Sequence, residues 1–301
     1  HVFSDAHREW QKSFFVINII HTKSEMQAEV ARWRDAGLSV ALVPTMGSLH
    51  EGHLSLVHQA ALQADRVVVS IYVNPSQFAE NEDFDKYPRT LDDDVKKLEK
   101  TGQCHAVYAP SSMYDDQHST MVVPAGAADG LESLTRPHFF TGVATIVLKL
   151  FQHVPAHIAL FGEKDFQQLS VVRQMIQNLD LQIEIIGAAT VRDTHGLALS
   201  SRNHYLSADQ FSIAPQLYQQ LCIIAQRITQ GDAQERVIAD AQHALLNAGF
   251  DEVDYLEICD AVTLKPAQNN RQGPIRILAA VRLGTTRLID NIALDQSDTL
   301  A

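Results

Sequence analysis

The chain has 301 residues, enough for one or two hydrophobic cores, and its 46% hydrophobic content is ordinary for a globular protein. Its 24 basic and 36 acidic residues leave a formal charge of −12, which argues against a general nucleic-acid or membrane surface but leaves room for a local basic pocket. Cys104, Cys222 and Cys259 are too widely spaced for a metal cluster or a disulfide framework and suit a reducing cytosol, and no apolar run is long enough to span a membrane.

Residues 1–15 are assigned no function, and the short run FFVINII is not expected to be a cleaved signal, since a charged helical pattern follows it. A short apolar strand is expected over 16–20. Met26, Val30 and Trp33 recur at helical spacing and predict a helix over 23–36, with Ser24 as its cap and Gly37 as its stop. A strand over 38–43 then meets a helix over 49–63 through Pro44 and Gly47. The β-branched run RVVVSIYV predicts a strand over 66–73. Strand, helix and strand in this length make a parallel α/β unit. Residues 80–89 read as charged loop and 90–101 as a helix, with Asp92, Asp93 and Asp94 at the end its dipole favours for acids. They read as a solvated helix start, or less simply as a magnesium contact.

Further strands are expected over 106–109, 158–161 and 183–186, with a possible one over 121–123. Helices are expected over 142–151 and 166–179. The whole predicts a Rossmann-like parallel sheet with crossover helices over 16–188. One long helix to about 229, another over 232–248 and strands over 253–259, 274–281 and 286–291 predict a smaller α+β domain over 189–301 that closes over the site.

Four places could carry chemistry. His50 and His53 lie three apart on one helix face, in a first turn whose free N–H groups and dipole favour an anion. The dipole also depresses histidine pKa values, so neutral donors are as expected as cations. They could instead be surface residues, or two metal ligands, although the motif is not HExxH and zinc needs a third ligand. Lys164, just past a strand in GEKD, could reach a phosphate, and Asp165 could bond a hydroxyl or cap the next helix. Ser200-Ser201-Arg202 offers two hydroxyls and a guanidinium to a polyphosphate, or simply a cap and a surface Arg. Asn74 and Gln77 follow a strand, where open α/β sheets bind ligands, or merely cap it. The chain has no P-loop, no GxGxxG and no GxSxG.

These segments resemble the pantothenate synthetase (pantoate–β-alanine ligase) family. PTMGSLHEGH at 44–53 is similar to its variant of the HIGH motif of nucleotidyltransferases. YVNPSQF, YPRTLDDD, FGEKDFQQL and LALSSRN follow in the same order, with DYLEICDAVTL and RLIDN as looser matches. The likeness runs from about 16 to about 292. It implies an ATP-dependent condensation of pantoate with β-alanine through a pantoyl adenylate, with Mg2+ travelling on the triphosphate. By resemblance ATP would meet Met46, Gly47, Ser48 and Leu49 of the turn and His50, Glu51, Gly52 and His53 of the helix start. It would also meet Gly162, Glu163, Lys164 and Asp165, then Val191, and finally Leu199, Ser200, Ser201 and Arg202, which resemble the KMSKS loop of related enzymes. His50, His53, Lys164 and Arg202 would be the catalytic set. Gln77 and Gln168 would bind pantoate, and Gln77 would also place β-alanine. The family implies a cytoplasmic homodimer joined through the N-terminal domains, with neither nucleic acid nor membrane as partner. One departure stands out: where the family has roughly RPGHFRG, this chain has RPHFFTG, from Arg136 to Gly142, which shifts the histidine to His138 and puts Thr141 at the second arginine. Two rivals remain, a nucleotidyltransferase of the same fold acting on another acid, and a non-catalytic binding module descended from such an enzyme.

Overall fold

Alternation along the strands sets the layers. The structure is a computed structural model that describes residues 17–79, 82–267 and 273–294. Six parallel strands, β1 (Asn18–Ile20), β2 (Val40–Thr45), β3 (Arg66–Ile71), β4 (Ala106–Tyr108), β5 (Ile158–Gly162) and β6 (Glu184–Ala188), form one sheet in the order β1-β4-β3-β2-β5-β6. Val40, Leu42 and Val68 send their side chains to one face and Ala41, Val43, Val67 and Val69 to the other, so both faces are buried. The first face carries α1 (Lys23–Asp35), α5 (Phe139–His153) and α6 (Phe166–Asn178), and the second carries α2 (Glu51–Gln63) and α3 (Leu91–Thr101). The short α4 (Glu132–Thr135) precedes α5.

The chain then supplies α7 (Ala208–Ile213), α8 (Gln216–Thr229) and α9 (Gln234–Ala248), followed by an antiparallel sheet of β7 (Glu252–Asp260), β8 (Ile275–Leu283) and β9 (Thr286–Ala293). One face of this sheet packs on α8 and α9 through Ile277, Ala279 and Val281. The other face sends Tyr255, Leu278 and Ala280 into the core of the larger sheet. The two sheets therefore share buried surface, which sets the relative placement of the loops between them.

Several expectations need correction. Thr22, rather than Ser24, caps α1: its Oγ1 accepts from Glu25 N at 3.3 Å. The helix expected to run to 229 is two helices, because Pro215 has no N–H to continue the ladder. Ser207 and Gln210 form a capping box at the start of α7. Residues 121–123 form no strand. Val16 lies outside the described residues.

The extension of β2 through Pro44 has a physical reason that leads to the site. β2 pairs with β3 as far as Thr45, but with β5 only at Ala41 and Leu42. On the β5 side Pro44 therefore has no ladder bond to lose. Beyond Val43 the strands part. The strand order also reverses between β2 and β5, and ligands in open α/β sheets bind outside the carboxyl ends of the strands at such a point.

Candidate active site

A cleft of about 1050 Å3 opens at that reversal. Its walls come from the ends of β2 and β5, the start of α2, residues 79 and 82–87, the loop 189–205 and β9. His50, His53, Lys164 and Arg202, which lie far apart in sequence, all line it.

The two histidines are held by their own helix. His50 is the N-cap of α2, and its Nδ1 accepts the N–H of Gly52 at 3.1 Å. His53 Nδ1 accepts the N–H of His50 at 3.4 Å, so the pair forms a capping box built from two imidazoles. The ring centroids are 4.1 Å apart. An Nδ1 that accepts must be unprotonated, which leaves Nε2–H as the donor on each neutral ring. Burial, then the charge of Lys164, pushes the His50 pKa down to about 4. Burial, then His50 and Lys164, pushes His53 down to about 3. Both rings are thus neutral donors at physiological pH, and Lys164 lines the same cleft.

The turn that leads into α2 is anchored by an acid read from sequence as solvated. Asp94 of α3 is fully buried. Its carboxylate accepts from Ser48 N at 2.9 Å, Leu49 N at 2.7 Å and Thr90 Oγ1 at 3.0 Å. Lys97 of the same helix donates to Leu49 O at 2.6 Å. Gly47 has φ +84°, and a Cβ there would stand 3.1 Å from Asp94 Oδ2, so the turn needs glycine at this point. Asp92 and Asp93 are exposed, as expected.

Lys164 lies in the 3-10 turn Glu163–Asp165 that joins β5 to α6, with its Nζ 3.7 Å from Asp165 Oδ1. Arg202 begins on the opposite wall, where Ser200 Oγ accepts its N–H at 3.3 Å and Ser201 Oγ donates to Ser48 O at 3.1 Å. The second bond ties this loop to the turn before α2. The Arg202 guanidinium is held by Asp83 at 3.1 Å. Asp83 also has a buried oxygen, Oδ2, with no hydrogen-bond partner.

Gln77 and Gln168 line the cleft as well. Gln77 Oε1 accepts from Asn74 Nδ2 at 3.0 Å, and its Nε2 meets Met46 Sδ at 3.2 Å. Asn74 is 1% exposed; besides Gln77 it bonds Gly142 O, Ser76 Oγ and Tyr114 OH. Its amide is therefore committed to orienting Gln77. Gly142 makes the close approach possible, since a Cβ there would lie 2.2 Å from Ser76 O. In the altered segment Arg136 lines the cleft, pairs with Glu82 and donates to Gln77 O at 3.1 Å. His138 is exposed and does not line the cleft.

Of the remaining sequence candidates, Met46, Gly52, Gly162, Asp165, Val191, Leu199, Ser200 and Ser201 line the cleft. Gly47, Ser48, Leu49, Glu51 and Glu163 do not. Glu51 is exposed, while Glu163 pairs with Arg276 at 3.0 Å. The sequence reading missed Glu82, Asp83 and Tyr87, whose signal was the alternation of acids and aromatics after YVNPSQF. It also missed the polar residues of β9, although RLIDN had been singled out.

Comparison with known proteins agrees with this architecture. The family model for pantoate-beta-alanine ligase matches residues 18–293. A pantothenate synthetase from a Bradyrhizobium strain is 50% identical over 279 residues, covering 92% of this chain and 98% of the relative. The crystal structure of pantothenate synthetase from Thermus thermophilus aligns with a TM-score of 0.83 at 38% identity, covering 92% of this chain and 99% of that one. A Francisella tularensis pantoate-beta-alanine ligase, solved with beta-gamma ATP and beta-alanine, aligns with a TM-score of 0.76 at 29% identity, covering 93% and 98%. With the switch-point cleft, the imidazole capping box and these matches over nearly its whole described length, the chain belongs to the pantoate–beta-alanine ligase family.

Proposed function

We propose that this chain condenses pantoate with β-alanine using ATP, in two steps within the one cleft. The pantoate carboxylate attacks the α-phosphorus, and pyrophosphate leaves. The β-alanine amine then attacks the acyl carbon of the pantoyl adenylate, and AMP leaves. The observation that carries this reading is the convergence of two neutral Nε2–H donors, a lysine and an arginine on one cleft at a helix N-terminus.

In the first step negative charge grows on the oxygens around the α-phosphorus and on the leaving pyrophosphate, and fixed donors that meet it lower the barrier. His50 and His53 donate from Nε2, and because their rings are neutral they act as dipoles rather than as proton sources. Lys164 from one wall and Arg202 from the other grip the triphosphate. Asp83 holds the Arg202 guanidinium in readiness. Met46, Gly52, Gly162, Asp165, Val191, Leu199, Ser200 and Ser201 would complete the ATP pocket. Gln77 and Gln168 would bind pantoate, with Gln77 also placing β-alanine.

Magnesium would enter as part of the nucleotide substrate. Among the described residues no group of three or more His, Cys, Asp or Glu forms a metal cage. Asp94, the buried member of the acidic triplet, is already committed to backbone donors. The family likeness further supports a homodimer in the cytoplasm, and division into 16–188 and a closing part, 189–301. Among the described residues no helix is long and apolar enough to cross a membrane.

The test is stepwise. Pyrophosphate should leave ATP only when pantoate is present, and AMP should accumulate only after β-alanine is added. Pyrophosphate release indifferent to pantoate would favour a nucleotidyltransferase with another acid substrate.

A further inference from the structure

The two walls that carry Lys164 and Arg202 are held by adjacent residues of one strand. Asn291 of β9 is 3% exposed, and its Nδ2 donates to the carbonyls of Glu163 at 3.0 Å and Lys164 at 2.8 Å. Its Oδ1 is fixed by Arg276 Nε at 2.6 Å. Arg276 also pairs with Glu163 and lies 4.2 Å from the ring centroid of Phe166, the first residue of α6. The backbone of Lys164 thus sits in a closed polar clasp.

Asp290, the neighbour of Asn291, points to the other side of the strand, as alternation requires. Its carboxylate receives Arg192 in a bidentate pair at 2.6 and 2.8 Å. Arg192 bridges to Ala198, and Leu199 N donates to Val191 O at 3.0 Å, so this pair closes the loop from which Ser200–Arg202 follow. One dipeptide therefore grips both loops.

We infer that Asp290 and Asn291 are positioning residues of the ligase, and that Asn291 acts through Lys164 by fixing the turn that carries its ammonium against the triphosphate. Neither needs to touch substrate. A misplacement of about 1 Å in such a turn is enough to slow the chemical step by roughly 100-fold. The inference rests on the role given to Lys164 above, and the experiment separates the two.

Adenylation is measured as pantoate-dependent pyrophosphate release, and transfer as β-alanine consumption of supplied pantoyl adenylate, on Lys164→Ala, Asn291→Leu and the double variant. Asn291→Leu keeps the volume and removes both donors. Its kcat for adenylation should fall about 10- to 100-fold with KM for pantoate nearly unchanged, and the transfer step should be spared. The double variant should be no slower than Lys164→Ala, because the second change removes the group through which the first acts. A double variant slowed by the product of the two single effects, or an Asn291→Leu that slows both steps equally, would overturn the inference and leave the Lys164 assignment standing. A Lys164→Ala with full adenylation activity would remove that assignment and the inference with it. If Asn291→Leu does not fold, Asn291→Ser, which keeps one donor, must give the same non-additivity with Lys164→Ala; additivity there counts against the inference.

Discussion

Replacing Asp94 by Asn probes how the helix that presents the histidines is set in place. The substitution keeps the shape of a side chain with no exposed surface but removes its charge and one acceptor. The carboxylate now serves three donors, Ser48 N, Leu49 N and Thr90 Oγ1, at 2.7 to 3.0 Å. An amide keeps one carbonyl oxygen for one backbone N–H and turns its NH2 toward the other. A buried donor left unsatisfied costs about 1–3 kcal/mol, and loss of the charge on the retained bond costs about 1 kcal/mol more. The sum is about 2–4 kcal/mol, a fall of roughly 3–6 °C in Tm for a chain of this length. The turn holds His50 at the cleft, so its relaxation should also lower the adenylation rate, by about 10-fold or more at a cost of 1.4 kcal/mol in positioning. Thermal melting with and without ATP, alongside steady-state pyrophosphate release, reads both effects. A variant that melts within a degree or so of wild type and turns over normally would refute the anchoring role and return Asp94 to the solvated helix start expected from sequence.

Other perturbations test the rest of the cleft. His50→Ala, His53→Ala and Lys164→Ala should each slow adenylation by roughly 10²–10³, the loss expected for one strong transition-state donor, and unchanged turnover in all three would reject their roles. Gln77→Ala should raise KM for pantoate or β-alanine, and steady-state kinetics with each substrate varied would expose an unaltered pair. Gly142→Ala should destabilise the fold by about 3 kcal/mol or more and disturb Gln77, since the added methyl would overlap the Ser76 backbone; a variant with wild-type denaturation would show that α5 can shift without cost. The histidine shifts carry a pH prediction. His50 and His53 have folded pKa values of about 4 and about 3, below the ordinary histidine value of 6.5, so the unfolded chain binds protons first as pH falls. Their stabilisation is fully present above pH 6.5 and is lost as pH drops from there toward 4 and 3. His53→Gln should flatten this profile while keeping the cap, because glutamine can accept the His50 N–H at the same helix position; an equally steep acid decline in that variant would contradict the assignment.

Local signals made much of this protein legible in one dimension. The apolar faces of α1, with Met26, Val30 and Trp33, and the β-branched run of β3 declare helix and strand by periodicity. Alternating strands and helices imply a parallel sheet, and PTMGSLHEGH places two histidines in a first turn. These features depend on interactions within a few residues, so spacing is enough to reveal them. The break at Pro215 is also visible in the string, since proline cannot continue the ladder, although the apolar pattern is continuous on either side of it.

Partnerships across long sequence distances were not legible. Asp94 and its neighbours Asp92 and Asp93 are chemically identical in the string, and only the packing of α3 against the turn 46–49 buries one and leaves two in water. No spacing rule links Asn291 to Lys164, 127 residues away, or Asp290 to Arg192, 98 residues away. Residue order and spacing establish which chemical groups exist and which local elements carry them. Which of them meet follows from the folded packing, because burial and the hydrogen-bonding demands of a buried backbone act on whatever the fold brings together, however far apart the chain set them.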